Sequence, residues 1–246
     1  MASMVARAAP VDRAGADGRS VLQAIWADAG QPTGEVTTEE VRQILADGSA
    51  IVVDTRSTAE FAAGHLPGVR NIPTRADGPA ADYVEAVERL VGGNKDTALV
   101  LYCNGPFCKR TRSLGKHLVE AGFSNVRRYQ LGIPIWRALG GPTEIELDGA
   151  LRVWRNDRTA VFFDARAPAE FARGTLPGAH NVPADGLPET LNQAPLPRDD
   201  FHSRVVLYGR DFKQARKLAE ALSTTPFHNV LYFPGSYQAL AAAVAK

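Results

Sequence analysis

The chain has 246 residues, of which 45% are hydrophobic and 22% are charged, a balance typical of soluble globular proteins. Its 28 basic and 27 acidic residues leave a formal net charge of +1, so neither nucleic acid nor an anionic membrane is expected as a partner. No apolar stretch approaches the roughly 20 residues that span a bilayer, and two cysteines are too few for a disulfide framework.

The first 34 residues are predicted to be an N-terminal extension. This segment lacks the apolar core of a signal peptide, so a soluble, cytoplasmic protein is the default expectation. The tripeptide Ala6-Arg7-Ala8 would suit a cleavage site, and a periplasmic location therefore stays open.

Helices and strands alternate along residues 35–141. Thr37 and Glu40 make a capping box, which predicts a helix that ends at Gly48. Short apolar runs predict buried strands at 50–53, 98–102 and 126–129. Helical spacing of apolar residues predicts helices at 58–63, 80–91 and 111–121. This alternation predicts an α/β fold with a mainly parallel sheet and helices on both faces.

The chain repeats itself at an offset of 110 residues. Residues 51–73, IVVDTRSTAEFAAGHLPGVRNIP, match residues 161–183, VFFDARAPAEFARGTLPGAHNVP, at about half of their positions. Further along, LVLYC at 99–103 matches VVLYG at 205–209. We therefore predict two copies of one domain, 35–141 and 142–246, joined near Gly140-Gly141-Pro142. The proline-rich middle of the second copy is predicted to be mostly loop.

Both cysteines lie in one loop, within LVLYCNGPFCKRTR at 99–112. Cys103 ends a predicted strand, and ligands of open α/β sheets bind beyond the carboxyl ends of strands. A helix begins near Arg110, and its N-terminus would stabilise an anion. With Lys109 and Arg112 close by, the loop favours the thiolate, which is the nucleophilic form of Cys103. The alternative is a buried, inert thiol, as free cysteines often are.

Four further stretches occur in a characteristic order: DTRSTAEFAAGHLPGVRNIP, VLYCNG, EAGF and LGIPIW. Over about residues 35–141 they resemble a rhodanese domain. The second copy resembles one too, through DARAPAEFARGTLPGAHNVP and VVLYG. The resemblance implies a tandem-rhodanese sulfurtransferase with Cys103 as the catalytic cysteine. Such an enzyme takes a sulfane sulfur from a donor such as thiosulfate or a persulfide, holds it as a persulfide, and passes it to a thiophilic acceptor.

The sequence departs from the familiar two-domain thiosulfate sulfurtransferases in two ways. Their C-terminal domain is the active one, whereas here the second copy has Gly209 at the cysteine position. The loop also resembles a CNGPxC subgroup, with Arg110 seven positions after the cysteine instead of five. A longer loop makes a wider cradle, so a donor larger than thiosulfate is expected.

The predicted substrate-binding residues form the loop itself. They are Asn104, Gly105, Pro106, Phe107, Cys108, Lys109, Arg110 and Thr111. Supporting roles are considered for Asp54, Arg56, His65 and Trp136. Asp54 and Arg56 are expected to form a structural ion pair, because Asp164 and Arg166 repeat them in the copy that has no cysteine. His65 either contacts substrate or is solvated at a helix end, and Trp136 either packs in the core or flanks the loop.

Three roles stay open for Cys108: resolving a persulfide, bonding to Cys103, or filling a loop position. No metal or other cofactor is expected, because two thiols without a matched histidine pair do not make a zinc site. Expected partners are a small sulfur-containing anion, a low-molecular-weight thiol or persulfide, and a protein sulfur acceptor. A non-catalytic sulfur carrier or partner-binding module is the alternative function. A cysteine-dependent phosphatase fits less well, because Lys109 stands where that chemistry needs an arginine.

Overall fold

The computed structural model describes residues 30–75 and 77–246. Most of the N-terminal extension predicted at 1–34, with its candidate cleavage site, lies outside the described residues. Among those that are described, no helix is long and apolar enough to cross a membrane.

The first half of the structure is a five-stranded sheet with helices on both faces. Its elements are β1 (Gly34–Glu35), α1 (Thr38–Asp47), β2 (Ile51–Asp54), α2 (Thr58–Ala62), β3 (Arg70–Asn71), α3 (Ala80–Leu90), β4 (Leu99–Tyr102), α4 (Lys109–Glu120), β5 (Val126–Tyr129) and α5 (Gly132–Ala138). The strand order is β1-β5-β4-β2-β3, and every pairing is parallel. The predicted α/β fold with a parallel sheet is confirmed.

The second half repeats this plan. Its elements are β6 (Thr143–Glu144), α6 (Leu147–Asn156), β7 (Val161–Asp164), α7 (Pro168–Arg173), β8 (His180–Asn181), α8 (Glu189–Asn192), β9 (Val205–Gly209), α9 (Phe212–Leu222), β10 (Val230–Ser236) and α10 (Tyr237–Val244). The order β6-β10-β9-β7-β8 is the counterpart of the first sheet. Between β8 and β9 the chain is mostly loop, as predicted, apart from a short 3-10 turn at 184–186 and α8.

Local signals place the predicted elements to within about two residues. The Thr37 capping box precedes α1, and Gly48 ends that helix in the left-handed conformation with a φ of 67°. Helix α5 was not predicted, because Gly132 and Pro134 favour a loop. Pro134 nevertheless lies in the first turn, where no intrahelical bond to its nitrogen is required. The two-residue strands β1 and β3 were missed as well.

Strand β4 lies at the centre of the first sheet and is fully buried. It pairs with β2 on one side and β5 on the other, so that Tyr102 is opposite both Asp54 and Tyr129. Separate apolar clusters cover the two faces of the sheet. The carboxyl end of β4 is therefore held rigidly within the core, and so is Cys103, the residue that follows it.

The two halves pack directly against each other. His65 and Glu144 form an antiparallel bridge, with two backbone hydrogen bonds of 2.9 Å. The Glu146 N–H also donates to the carbonyl of Ala62 (3.0 Å). Gly149 in α6 lies so close to α2 that a Cβ atom there would be 1.9 Å from the Ala62 oxygen.

Candidate active site

Cys103 follows the last residue of β4 and opens the loop that leads into α4. Its side chain is almost fully buried, with the residue only 2% exposed. In this structure Cys103 is joined by a disulfide to Cys108, the residue immediately before α4. Residues 103–108 are called the cysteine loop below. Helix α4 begins at Lys109, slightly earlier than predicted, so its N-terminus lies directly at the second sulfur.

Helix α5 supports the cysteine loop from behind. The Ile133 N–H donates to the Cys103 carbonyl (3.1 Å). Gly132 has a φ of +63°, and a Cβ atom there would lie 2.3 Å from that carbonyl and 2.6 Å from the Gly105 nitrogen. Only glycine permits both this backbone conformation and this close approach. The unpredicted helix therefore fixes the start of the cysteine loop.

Glu60, at the end of the first turn of α2, ties three parts of the site together. Its carboxylate accepts hydrogen bonds from the Asn104 amide (2.6 Å), from Arg110 Nη1 (2.9 Å) and from the Ser57 hydroxyl (2.7 Å). Burial alone would raise the pKa of Glu60, but these bonds prevail and lower it to about 2. Glu60 is therefore ionised at neutral pH and anchors both the loop and α4.

A cluster of buried polar side chains lies at the end of β2, beside the last residue of β4. Arg56 donates to both carboxylate oxygens of Asp54, with a shortest distance of 2.6 Å, and to the Gly64 carbonyl (2.7 Å). The Tyr102 hydroxyl donates to Asp54 Oδ2 (2.6 Å). Burial and the adjacent Asp54 carboxylate raise the pKa of Tyr102. Asp164 and Arg166 repeat the ion pair in the second half, which favours the structural interpretation of Asp54 and Arg56.

His65 is 1% exposed, so the interpretation of a solvated helix-end histidine is wrong. Its ring stacks on Phe61, with centroids 3.6 Å apart, and its Nε2 lies 3.3 Å from Glu144 Oε2. His65 therefore serves the junction of the two halves. Trp136 is buried in a core cluster and donates to the Pro142 carbonyl (2.9 Å), as the core-packing interpretation expects.

A cavity of about 800 Å³ lies between the two halves and reaches the cysteine loop at Asn104. Four arginines line it: Arg56 and Arg137 from the first half, Arg152 and Arg204 from the second. Arg56 is paired with Asp54, and Arg204 with Asp157. In the described part of the chain, neither Arg137 nor Arg152 forms an ion pair.

Arg137 is half-buried, and its Nε atom is fully buried without a hydrogen-bond partner among residues 30–75 and 77–246. Burial, with the neighbouring charges of Arg56 and Arg204, lowers the pKa of Arg137 to about 10. The guanidinium is still charged at neutral pH. The lining carboxylates Glu60 and Asp157 are paired with Arg110 and Arg204. Among the described residues, the charges of Arg137 and Arg152 therefore have no paired carboxylate, and such a cavity favours an anionic ligand.

The predicted loop residues do not all face this cavity. Asn104 lines it, whereas Arg110 turns to Glu60 and Lys109 is exposed. Thr111 is buried in the first turn of α4. The substrate-binding roles stay predictions for all of the loop residues: Asn104, Gly105, Pro106, Phe107, Cys108, Lys109, Arg110 and Thr111. Of the four cavity arginines, sequence reasoning singled out only Arg56, as a supporting residue. It did not single out Glu60, although the repeat pairs Glu60 with Glu170.

The second half has the same sheet and the same arginine–glutamate ion pair, but it has no counterpart of the cysteine loop. Gly209 ends β9, and only Arg210 and Asp211 separate it from α9. Arg210 pairs with Glu170 (2.7 Å), as Arg110 pairs with Glu60. The same ion pair is thus made by arginines at different distances from the strand, and only the first half has a thiol beside it.

Comparisons with known proteins agree with this architecture. The Rhodanese-like domain family matches residues 37–139 and 149–243. A thiosulfate sulfurtransferase GlpE of Pseudomonas putida is 29% identical over 103 residues, which cover 42% of this chain and 84% of the relative. An HTH-type transcriptional regulator of Mycobacterium tuberculosis is 30% identical over 115 residues, 47% of this chain and 46% of the regulator.

Among solved structures, a thiosulfate sulfurtransferase from Pseudomonas aeruginosa matches 85% of this chain and 45% of its own, with 22% identity and a TM-score of 0.40. The chain thus spans less than half the length of the regulator and of this structure. The two family matches together cover most of the chain, with one match on each half. The chain therefore belongs to the rhodanese-like domain family, of which it carries two copies.

Proposed function

We propose that the protein is a sulfurtransferase that uses Cys103 as its nucleophile. It takes a sulfane sulfur from a donor such as thiosulfate or a persulfide, carries it as a persulfide on Cys103, and transfers it to a thiophilic acceptor. The joined cysteines must first be reduced by a thiol, because only the free Cys103 thiolate can attack the donor.

The observation that carries this proposal is the position of Cys103. It follows the central strand β4 and opens a loop that ends at the N-terminus of the 12-residue helix α4. A helix N-terminus stabilises negative charge, which develops on the thiolate, on the persulfide and on the leaving sulfite. Membership of the family and the relatives named thiosulfate sulfurtransferase support the same chemistry.

The cavity between the halves supports an anionic donor. Arg137 and Arg152 bring positive charge from opposite walls, and Asn104 connects the cavity to the cysteine loop. Its volume of about 800 Å³ exceeds what thiosulfate needs, in line with the larger donor expected from the loop length. In this proposal the second half has no nucleophile of its own and acts as the far wall of the cavity.

The test compares reduced wild type with Cys103→Ser in thiosulfate-to-cyanide transfer. We expect the variant to lose transfer by at least about a thousandfold, because serine is a far weaker nucleophile at neutral pH. Its unfolding midpoint under reducing conditions should match that of wild type, since both then lack the disulfide. Peptide mapping of sulfur-loaded wild type should find the added sulfur on Cys103. Comparable transfer by Cys103→Ser would overturn the assignment.

The same protein samples separate the alternatives. A sulfur carrier would load sulfur on Cys103 once and fail to turn over with thiosulfate and cyanide. A phosphatase would hydrolyse p-nitrophenyl phosphate. The contact between Arg110 Nη1 and Glu60 argues against that second alternative, because it takes up one of the donors with which Arg110 would bind a phosphate.

A further inference from the structure

The two cysteines of the chain are neighbours on a loop that is fixed at several points. The Cα atoms of Cys103 and Cys108 are 6.3 Å apart, and their sulfurs are bonded. The turn between them is closed by the Cys108 N–H, which donates to the Gly105 carbonyl (3.0 Å), and Gly105 has a positive φ of 104°. Arg112 Nη2 donates to the Pro106 carbonyl (3.1 Å). The loop therefore presents the second sulfur to the first.

We propose that Cys108 is a resolving cysteine that releases the sulfur carried by Cys103 as hydrosulfide. This gives the protein a second, dithiol-dependent activity besides transfer to an acceptor. The inference rests on the proposed function, because the persulfide on Cys103 is its starting material.

The step exchanges one sulfur–sulfur bond for another. The Cys108 thiolate attacks Sγ of the Cys103 persulfide, and a bond forms between the two Sγ atoms. The bond from Cys103 Sγ to the outer sulfur breaks, and that sulfur leaves with the electron pair as hydrosulfide. The two cysteines are oxidised to the disulfide seen in the structure, while the sulfane sulfur is reduced.

The surroundings of Cys108 suit this role. It immediately precedes α4, whose first turn carries Lys109 and Arg110 and no acidic residue. A thiolate at this place is stabilised by the helix N-terminus and by the charge of Lys109, since Arg110 is paired with Glu60. The Cys108 side chain makes no capping hydrogen bond to the helix. It is therefore free to serve as the attacking group once the disulfide is reduced.

Burial determines how the cycle is completed. Cys103 is 2% exposed, whereas Cys108 is only partly buried. An external dithiol therefore reaches the Cys108 sulfur first and forms a mixed disulfide there, and Cys103 leaves as the thiolate. The second thiol of the reductant then frees Cys108. Over one cycle, one thiosulfate and one dithiol give one sulfite, one hydrosulfide, one proton and one oxidised dithiol.

The experiment uses the full-length wild type, Cys108→Ser and Cys103→Ser, each reduced, freed of reductant and loaded with one equivalent of thiosulfate without oxygen. Intact mass and free hydrosulfide are followed over time. In wild type we expect the added sulfur to disappear with release of hydrosulfide, leaving a protein lighter than the reduced form by two hydrogens. Cys108→Ser should keep its added sulfur at least about tenfold longer, and Cys103→Ser should take up none.

Equal rates of sulfur loss in wild type and Cys108→Ser, or loss without the two-hydrogen change, would overturn the resolving role. Delivery of the stored sulfur from Cys108→Ser to cyanide would show that the sulfurtransferase proposal stands even then. Should thiosulfate fail to load Cys108→Ser, an alkyl persulfide serves as the second donor. Failure of both donors to load it would overturn the sulfurtransferase proposal, and the resolving step with it.

Discussion

The side chain that organises the site is a carboxylate, not one of the cations that the loop sequence emphasises. Glu60 lies on α2, more than 40 residues before the cysteine, and holds both Asn104 and Arg110. Nothing in the cysteine loop itself indicates this partner. The repeat did contain a signal, since Glu60 and Glu170 match in the two copies. Sequence alone could not say that an arginine would meet each of them.

At this scale we expect Glu60→Gln to lower thiosulfate-to-cyanide transfer by about tenfold, because the loop loses a charged anchor and its geometry loosens. Glu170→Gln is the matched control: it breaks the equivalent pair with Arg210, where no thiol is present. Steady-state kinetics of the reduced proteins would check this. If both variants are equally active, Glu60 does not position Cys103.

The acid response of stability follows from the same carboxylate. The pKa of Glu60 is about 2 in the folded protein, below its ordinary value of 4.5. Its ionised form therefore stabilises the fold above about pH 4.5, and this contribution disappears as the pH falls toward 2. The free energy of unfolding of wild type should exceed that of Glu60→Gln at pH 7, with the difference shrinking through this window. A constant difference would contradict the assignment.

The element that fixes the start of the cysteine loop is a helix that the sequence pattern does not predict. Helix α5 begins at Gly132, and its first turn contacts the carbonyl of Cys103. Glycine and proline in LGIPIW favour a loop by composition, and a seven-residue helix has too few turns for a clear period. The strands β2, β4 and β5 and the helix α1 were predictable, because apolar runs and caps are local. The contacts between α5 and the cysteine loop join residues that are distant in the sequence, so no local pattern could predict them.

Gly132→Ala tests this element. A Cβ atom would meet backbone at 2.3 and 2.6 Å, so either α5 or the cysteine loop must shift. We expect transfer to fall by more than about tenfold. Gly48→Ala is the control, since that glycine has a similar φ of +67° and nothing within 4 Å of the added atom. The control should lose only about 1–2 kcal/mol of stability and keep its activity, as urea unfolding and kinetics would show.

For the molecule as a whole, the second half completes a cavity that the first half cannot form alone. Arg152, Arg204 and Leu231 line it from that side. The repeat predicted two copies, and their sheets have the same strand order. The boundary at 141–142 stays a prediction. How two copies pack cannot be deduced from the repeat, because the bridge between His65 and Glu144 involves a position that differs between copies, His65 against Thr175.

Arg152→Gln tests the contribution of the second half. The lost charge should raise the KM for thiosulfate about threefold to tenfold with little change in kcat, because Arg152 acts on binding across the cavity. Arg155→Gln is the control, on the same helix but outside the cavity. The difference in KM between Arg152→Gln and Arg155→Gln should become smaller as salt is added, because salt screens the charge of Arg152. An unchanged KM in Arg152→Gln at low salt would argue against an anion site here.

Gly149 has a consequence for how changes in one half are felt in the other. Because it lacks a side chain, α6 rests on the backbone of α2, whose Ala62 carbonyl occupies the space of a Cβ atom. Helix α2 also carries Glu60, which holds the cysteine loop. A chain of direct contacts thus runs from α6 in the second half, through α2 and Glu60, to the cysteine loop of the first half. Substitutions in α6 that widen this contact will move Glu60 and be felt at Cys103, so mutational sensitivity will not follow the boundary between the two copies.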